Sequence, residues 1–373
     1  LVLVMEDLHW ADTSSIELLL SFFRLVLTHK ILFINVFRPC YEETGDRIVK
    51  ASKEMFCEHT IEIFLNPLTE RMSETLIHNM LKMKGLRHPV INLIVKRSDG
   101  NPFFIEEVVR SLIDEGAIVV KDCTFSVTEK IDTAIVPYTI NDVLMARIDR
   151  LEGRTRDLIK VASVIGRNFF HRILAEVAKR IEEIDQRLGY LKEAQLIKER
   201  KRMEEVEYLF KHALAQESAY ASILPLKRQK LHEKVAESIE TIFKERIHEF
   251  YGMLAFHYSK AKNEEKAEHY LIKAGEESLR SSASSEALHY YREALNLYLK
   301  KYGNTADPEK LSMLERNIAI TLSNKGKYVE AVEYYDSALS HMRVKTPKHR
   351  LSSLWFALLS FSKFLLSLYF PFQ

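Results

Sequence analysis

Two adjacent carboxylates, Glu6 and Asp7, stand directly after an apolar run at Leu1–Met5. A continuous apolar run is typical of a buried parallel strand, and the carboxyl end of such a strand is where α/β folds bind ligands. Paired acids there have the form of a Walker B motif, in which Glu6 would bind Mg²⁺, normally through water, and Asp7 would polarise the attacking water. The same pattern also fits a plain junction between a strand and a loop.

A second candidate is the segment SDGNPFFIEE at residues 98–107. Asp99 or Asn101 can cap the helix that follows, and Pro102 suits its first turn because proline has no amide hydrogen to leave unpaired. Capping alone would explain the segment. As a ligand site, it would offer Pro102 and Phe103 as an apolar wall.

Composition limits the classes of function. The 373 residues carry 54 Lys and Arg against 52 Asp and Glu, a formal charge of +2, so no overall field favours nucleic acid or anionic lipid. The basic run KERKR at residues 198–202 is neutralised by nearby glutamates, which indicates a solvated hairpin rather than a nucleic-acid-binding wing. Three cysteines without a C-x-x-C spacing favour a reducing compartment, and we expect a cytoplasmic protein.

The elements that must position these groups begin with an α/β part, residues 1–66. The apolar pattern predicts a helix at Thr13–Thr28 between strands at Leu1–Met5 and Ile31–Phe37, and a third strand at Ile61–Leu65. This is too little material to close a doubly wound sheet. The sequence therefore predicts a partial α/β domain.

Two largely helical parts follow, at residues 67–136 and 137–240. The first is predicted to combine a small hairpin at Ile118–Val127 with helices at Thr69–Lys84, Val90–Ser98 and Phe103–Glu115. The second is predicted to end in a hairpin, Leu196–Arg200 with Val206–Phe210, after helices at Ile140–Leu151, Arg154–Ile165, Arg172–Lys179 and Ile181–Ala194. Several helices followed by a hairpin are typical of a winged helix.

Residues 241–345 are predicted to be almost wholly helical, with alanines that recur around a bulky residue. The three sets are Ala267/Leu271/Ala274, Ala287/Tyr291/Ala294 and Ala331/Tyr335/Ala338. Small residues at this spacing let helices approach closely, as in an α-solenoid, and residues 312–345 match tetratricopeptide positions best. The register upstream stays open, because only 20 residues separate Ala267 from Ala287.

The last part, residues 346–373, contains an apolar stretch at Leu351–Phe370 that is long enough to span a bilayer. Its polar residues fall within one sector of a helix, and Lys363 would lie near the middle of a span. We expect a packed helix rather than a membrane span.

The motifs, taken in order, resemble the predicted signal-transduction ATPases related to AAA+ proteins, the STAND class. The similar segments are LVLVMEDLHWAD at 1–12, KILFINVFRP at 30–39, GNPFFIEE at 100–107, ASVIGRNFF at 162–170 and FKHAL at 210–214. The resemblance extends over about residues 1–345. It implies a mainly α chain with a partial P-loop α/β remnant, a helical lid, a winged helix and a TPR-like solenoid.

The resemblance also implies roles for single residues. Arg38 would read the γ-phosphate of ATP, Pro102 and Phe103 would abut the adenine, and His212 would hydrogen-bond the β-phosphate of ADP. The cofactor of an intact parent would be ATP or ADP with Mg²⁺. Each role has a plain alternative: Arg38 as a solvated arginine at a strand end, and His212, like His232, as a satisfied core histidine.

One departure from the pattern affects every one of these roles. The sequence has no G-x-x-x-x-G-K-[ST] loop, which precedes Walker B in this topology and cradles the phosphates. Two interpretations follow, a chain that starts within its nucleotide domain or a degenerate relative that binds no nucleotide. The first is favoured by the start in mid-sheet at a residue other than Met. Under either, the chain as given is expected to be inactive as an ATPase.

The favoured function is an ATP/ADP-dependent regulatory switch whose repeats bind a protein or peptide partner, with oligomerisation on activation. The alternative is a TPR-like scaffold whose ATPase module has decayed. A winged-helix transcription regulator is a third hypothesis, which the near-neutral charge disfavours.

Overall fold

The computed structural model describes residues 1–81, 89–121, 124–133, 136–202, 205–344, 358–359 and 361–362. The chain is mainly α-helical, which confirms the expected fold class. It divides into two compact units. Unit 1 comprises Leu1–Thr60, His248–Ser259 and Asn263–Gln373, and unit 2 comprises Ile61–Ile247 and Lys260–Lys262.

The α/β part of unit 1 is built on two parallel strands, β1 (Val2–Met5) and β2 (Leu32–Asn35). Between them runs α1 (Thr13–Phe23), which begins where the Asp12 carboxylate accepts a hydrogen bond from the Ser15 amide. The next helix, α2 (Arg47–Phe56), is not among the helices predicted from the sequence. Buried side chains of α1 and α2 form one core with Leu8, which lies just after β1; the members are Leu8, Ile16, Leu19, Phe23, Ile48 and Phe56.

The third strand predicted at Ile61–Leu65 is wrong. These residues form no strand, and the side chains of Ile61, Ile63, Phe64 and Leu65 are 77% to 90% exposed. An apolar run records a tendency toward extended backbone, but a strand also needs a hydrogen-bonded neighbour. The described residues give this segment no such neighbour.

Unit 2 begins with three helices, α3 (Glu70–Leu81), α4 (Pro89–Ser98) and α5 (Pro102–Asp114). The expected hairpin follows as antiparallel strands β3 (Ile118–Lys121) and β4 (Thr124–Val127). One continuous core joins these elements, and it includes Ile77, Ile94, Ile105, Leu112 and Ile118. Val136 and Val143 belong to the same core, so the start of the next helix is fixed to it by apolar packing.

The rest of unit 2 is a group of helices around a three-stranded antiparallel sheet. The helices are α6 (Ile140–Asp149), α7 (Gly153–Ile165), α8 (His171–Val177), α9 (Ile184–Glu193), α10 (Ala213–Ala221) and α11 (Pro225–Ile242). The strands are β5 (Asn168–Phe170), β6 (Ile197–Arg202) and β7 (Glu205–Phe210), in the order β5-β7-β6. The β6–β7 hairpin agrees with the prediction from the sequence, whereas β5 is not predicted, because three residues are too few to show a period of two.

Unit 1 ends in stacked helices. They are α12 (Tyr251–Ala261), α13 (Glu264–Arg280), α14 (Ser284–Tyr302), α15 (Pro308–Asn324) and α16 (Tyr328–His341). Helix α13 pairs with α14, α15 pairs with α16, and α14 packs on α15. The six recurring alanines are all buried. The short spacing from Ala267 to Ala287 is thereby explained, because these residues lie on the two helices of one pair.

Gly275 shows how closely α13 and α14 approach. A Cβ atom at this position would lie 2.7 Å from Cε1 of Tyr291, whose side chain is 1% exposed. The ring of Tyr291 therefore occupies the space that any larger residue at position 275 would need.

The stretch Leu351–Phe370 lies outside the described residues except for Leu358, Leu359, Phe361 and Ser362. The expectation of a packed helix there is therefore untested. Within the described parts of the chain, the helices are all too short or too polar to cross a bilayer.

We expect Gly275→Ala to destabilise the α13–α14 pair by about 1–3 kcal/mol, because the added methyl overpacks a filled site. Gly189→Ala is the matched control. Among the described residues, a Cβ there meets nothing within 4 Å, and replacing a glycine inside helix α9 should stabilise the protein by about 0.5–1 kcal/mol. Hydrogen exchange of amides in each helix measures both changes, and equal effects of the two variants would contradict the close packing at Gly275.

Candidate functional site

Glu6 and Asp7 follow β1 directly, at the carboxyl end of the parallel pair. Asp7 has φ +57°, a left-handed conformation that turns the chain out of the strand. The Leu8 amide then donates to the Val36 carbonyl at 3.1 Å, which fixes this turn to the end of β2. Arg38 lies two residues further on and is exposed. Exposure is compatible with both interpretations of Arg38.

His9 is a residue at this edge whose importance the sequence analysis missed. It is 6% exposed, and neither ring nitrogen has a hydrogen-bond partner among the described residues. Its ring centroid lies 5.2 Å from those of Trp10 and Tyr41. The side-chain oxygens of Asn35 and Thr44, also buried, have no described partner either. Only the pattern His-Trp-Ala-Asp after the acids could have pointed to this cluster.

The described residues at this edge do not build a complete site for Mg²⁺ and ATP. They contain no group of three or more His, Cys, Asp or Glu residues placed to hold a metal ion. The phosphate-cradling loop is missing from the sequence as well. Glu6 and Asp7 could therefore contribute to such a site only together with further groups.

In unit 2, the loop before α5 is shaped by Gly100. This residue has φ +71°, and a Cβ on it would lie 2.3 Å from the Leu68 carbonyl oxygen. The Leu68 amide donates to the Gly100 carbonyl at 2.8 Å. Asn101 then caps α5, with its side-chain oxygen accepting from the amides of Phe103 and Phe104. The cap is thus Asn101 and not Asp99, and capping accounts for much of the segment.

Phe103 and His212 are brought together although 109 positions separate them in the sequence. Their ring centroids lie 4.1 Å apart with an interplanar angle of 42°. Phe103 is half-buried and faces His212, while Pro102 is exposed. His212 immediately precedes α10, but its side chain does not cap that helix.

The imidazole of His212 is held neutral and lacks a described partner at Nε2. Burial first, and then the charge of neighbouring Lys211, lower the pKa of His212 to about 4. Nε2 is buried and has no hydrogen-bond partner among the described residues. Buried polar atoms are rarely left in this state, so this atom is suited to a ligand or to water.

Helix α5 carries a polar stripe, which we define as Glu106, Glu107, Arg110, Ser111, Asp114 and Glu115. The spacing of three and four residues places them on one side of the helix. At one end, Lys211 lies 3.5 Å from Glu106, which also accepts from Arg110 at 2.9 Å. At the other end, Arg150 pairs with Glu115 and donates to the Ser111 hydroxyl at 2.8 Å.

The buried centre of the stripe is an ion pair between Glu107 and Arg147. The two residues are 1% and 5% exposed. Arg147 also donates to the Ala194 carbonyl at 2.6 Å and lies 3.8 Å from the Asp114 carboxylate. It therefore joins α5, α6 and the end of α9.

His232 has a structural role. It is 1% exposed, and its Nε2 lies 3.0 Å from the Tyr220 hydroxyl, within hydrogen-bond distance. The Arg228 guanidinium stacks over the Tyr220 ring at 4.8 Å. Burial lowers the pKa of His232 to about 4, as expected for a neutral core histidine.

Comparisons with known proteins give three findings. Residues 69–126 match the model of a domain of unknown function, DUF8739. The chain is 26% identical over 375 aligned residues to an uncharacterized protein of Rhizobium meliloti (strain 1021), covering 95% of this chain but 33% of that protein. It thus spans about a third of the relative's length.

The third finding concerns a solved structure, a STAND protein with a tetratricopeptide repeat sensor from Pyrococcus horikoshii. The sequence identity is 15% and the TM-score is 0.37, with 92% of this chain and 62% of that chain covered.

We expect Arg147→Met to cost about 3–5 kcal/mol, because it leaves the Glu107 carboxylate buried without its counter-ion. The double variant Glu107→Leu/Arg147→Met removes both charges and should recover most of that loss. Arg150→Met is the control, since its pair with Glu115 is partly exposed and such pairs contribute about 0–1 kcal/mol. Urea unfolding, with hydrogen exchange of α5 and α6 amides as the readout, measures the free energy of unfolding of the three variants. Equal costs for Arg147→Met and Arg150→Met would contradict the role of the buried pair.

Proposed function

We propose that this chain is part of a nucleotide-controlled regulatory switch, in which His212 binds a phosphate of ADP next to Phe103. The observation that carries this proposal is the buried Nε2 of His212 without a described partner. A neutral imidazole can donate one hydrogen bond to a phosphate oxygen. Such a bond forms only when a nucleotide phosphate lies at His212, so it favours the nucleotide-bound state.

The Walker B-like edge of unit 1 supports the same proposal. Glu6 and Asp7 lie where α/β folds bind phosphate and metal, and they follow a strand of a parallel pair. Val2, Val4, Leu32 and Ile34 on the far face of this pair are 41% to 58% exposed, although parallel sheets are normally covered on both faces. We propose that, in the product of the full reading frame, a larger α/β domain covers this face and supplies the phosphate loop.

In that product, Glu6 would hold Mg²⁺ through water, Asp7 would orient the attacking water and Arg38 would contact the γ-phosphate. Pro102 and Phe103 would border the adenine. The helices α13–α16 would bind a protein or peptide partner, as stacked helical repeats do in general.

A second candidate function is a repeat scaffold without nucleotide control. It is favoured by the exposed apolar side chains of α16, where Tyr328, Val329 and Val332 are 55% to 79% exposed. Apolar side chains grouped on one helix are suited to protein binding. Nucleotide binding by the full product decides between the two candidates.

For the full product, we expect His212→Ala to weaken ADP binding by about 5- to 150-fold, which corresponds to roughly 1–3 kcal/mol, with a smaller effect on ATP. His269→Ala is the control, because His269 is exposed on α13. Isothermal titration calorimetry gives both affinities. A lower melting temperature with unchanged ADP affinity would instead assign His212 to packing alone.

Asp7→Asn in the full product should retain nucleotide binding but slow hydrolysis by about two orders of magnitude or more, because an amide orients the attacking water poorly. Asp46→Asn is a suitable control, since Asp46 is an exposed carboxylate in unit 1. Phosphate release under single-turnover conditions measures the rate. Normal turnover by Asp7→Asn would show that the acids are merely structural.

A further inference from the structure

We propose that the ion pair between Glu106 and Lys211 is a positioning clamp that holds the His212 imidazole against Phe103. The inference deepens the proposed function, because His212 is the group that would bind phosphate. It concerns the protein without nucleotide, however, and can be tested independently.

The ring contact between Phe103 and His212 and the ion pair between Glu106 and Lys211 lie next to each other. Phe103 and Glu106 are separated by three positions on α5 and therefore lie on one side of it. Lys211 and His212 are consecutive residues immediately before α10, and His212 has an extended backbone with φ −129° and ψ 135°. The ring contact of 4.1 Å and the ion pair of 3.5 Å thus join the same two pieces of chain side by side.

Lys211 is fixed from both sides. Its amide donates to the Leu196 carbonyl at 2.9 Å, and its ammonium group donates to the Gln195 side chain at 2.9 Å. These bonds tie it to the turn between α9 and β6, while its ammonium group also reaches Glu106 on α5. Lys211 therefore connects the two parts of unit 2 at the position next to His212.

Glu106 is suited to the role because it stays charged. Burial alone would raise the pKa of Glu106, but Lys211 and Arg110 hold it below its usual value. The Arg110 side chain is one turn further along α5 and keeps the carboxylate oriented at 2.9 Å. Among the described residues, Nε2 of His212 has no such polar anchor, so the ring depends on packing and on its neighbour Lys211.

The clamp differs from the buried centre of the stripe in its exposure. The side chains of Glu106 and Lys211 are 36% and 18% exposed, whereas those of Glu107 and Arg147 are 2% and 4% exposed. Water reaches the clamp, so this pair is the weaker of the two and can break while the Glu107–Arg147 pair remains. The end of α5 that carries Phe103 can therefore change its contact with Lys211 and His212 while the centre of the helix stays fixed.

The variant Glu106→Gln separates positioning from charge. Burial lowers the pKa of His212 most, the charges of Lys211, Lys198 and Arg110 also lower it, and the Glu106 charge raises it. If the carboxylate acted only through its charge, removing it would lower the pKa of His212 below about 4. If it positions the ring, the imidazole becomes hydrated and its pKa rises toward the ordinary 6.5.

In Glu106→Gln, we expect the pKa of His212 to rise by about one unit or more, as measured by an NMR titration of the full 373-residue chain. His212→Gln identifies the resonance by its loss. Glu115→Gln is the matched control, because it removes a carboxylate paired with arginine at the other end of α5 and should leave the pKa of His212 unchanged.

Glu106→Asp provides a second test, since it keeps the charge but is one methylene too short for the pair. Positioning again requires a rise in the pKa of His212, whereas a charge effect alone leaves that pKa at about 4. An unchanged or lowered pKa in either folded variant would overturn the clamp. The outcome of the ADP titrations has no bearing on this test.

Discussion

The buried contact between the Glu107 carboxylate and the Arg147 guanidinium is the constraint on which unit 2 depends. Removing two charges from water costs several kcal/mol for each ion, and only a close partner with further hydrogen bonds offsets that cost. Arg147 satisfies the condition by contacting Glu107, Asp114 and the Ala194 carbonyl together. Because these groups lie on α5, α6 and the end of α9, their relative positions are set within narrow limits. An apolar contact of similar area would tolerate more sliding.

The geometry of the candidate site depends on these positions of α5, α6 and α9. One side of α5 is packed into the core through Ile105, Val108 and Leu112, so the polar stripe must face α6 and the start of α10. The orientation of α5 then determines which residues its N-terminal end contacts. At the N-terminal end, Asn101 starts the helix and Phe103 is presented in the first turn, where His212 lies against it. A neutral imidazole with a buried Nε2 results from packing and from the positive charge of Lys211.

The sequence predicted what depends on local periodicity. Helices such as α4, α5 and α7 agree with expectation to within a few residues, because their apolar residues recur with the helical period and their ends carry Pro, Asn or Gly. What depends on distant partners was not predictable. The strand expected at Ile61–Leu65 fails for lack of a described neighbour, and the Glu107–Arg147 pair joins residues 40 positions apart. The resemblance singled out Phe103 and His212, but only the structure shows their contact and the two ring nitrogens of His9 that lack a partner among the described residues.

The proposed hydrogen bond between Nε2 of His212 and a nucleotide phosphate is tested most directly by imidazole ¹⁵N NMR of the full reading-frame product. On addition of saturating ADP, we expect the Nε2 resonance of His212 to shift and its proton to become protected from exchange with water, as a new hydrogen bond to phosphate requires. The resonances of His232, which is already paired with Tyr220, should stay in place. A protein that binds ADP while the Nε2 resonance of His212 does not move would contradict the account.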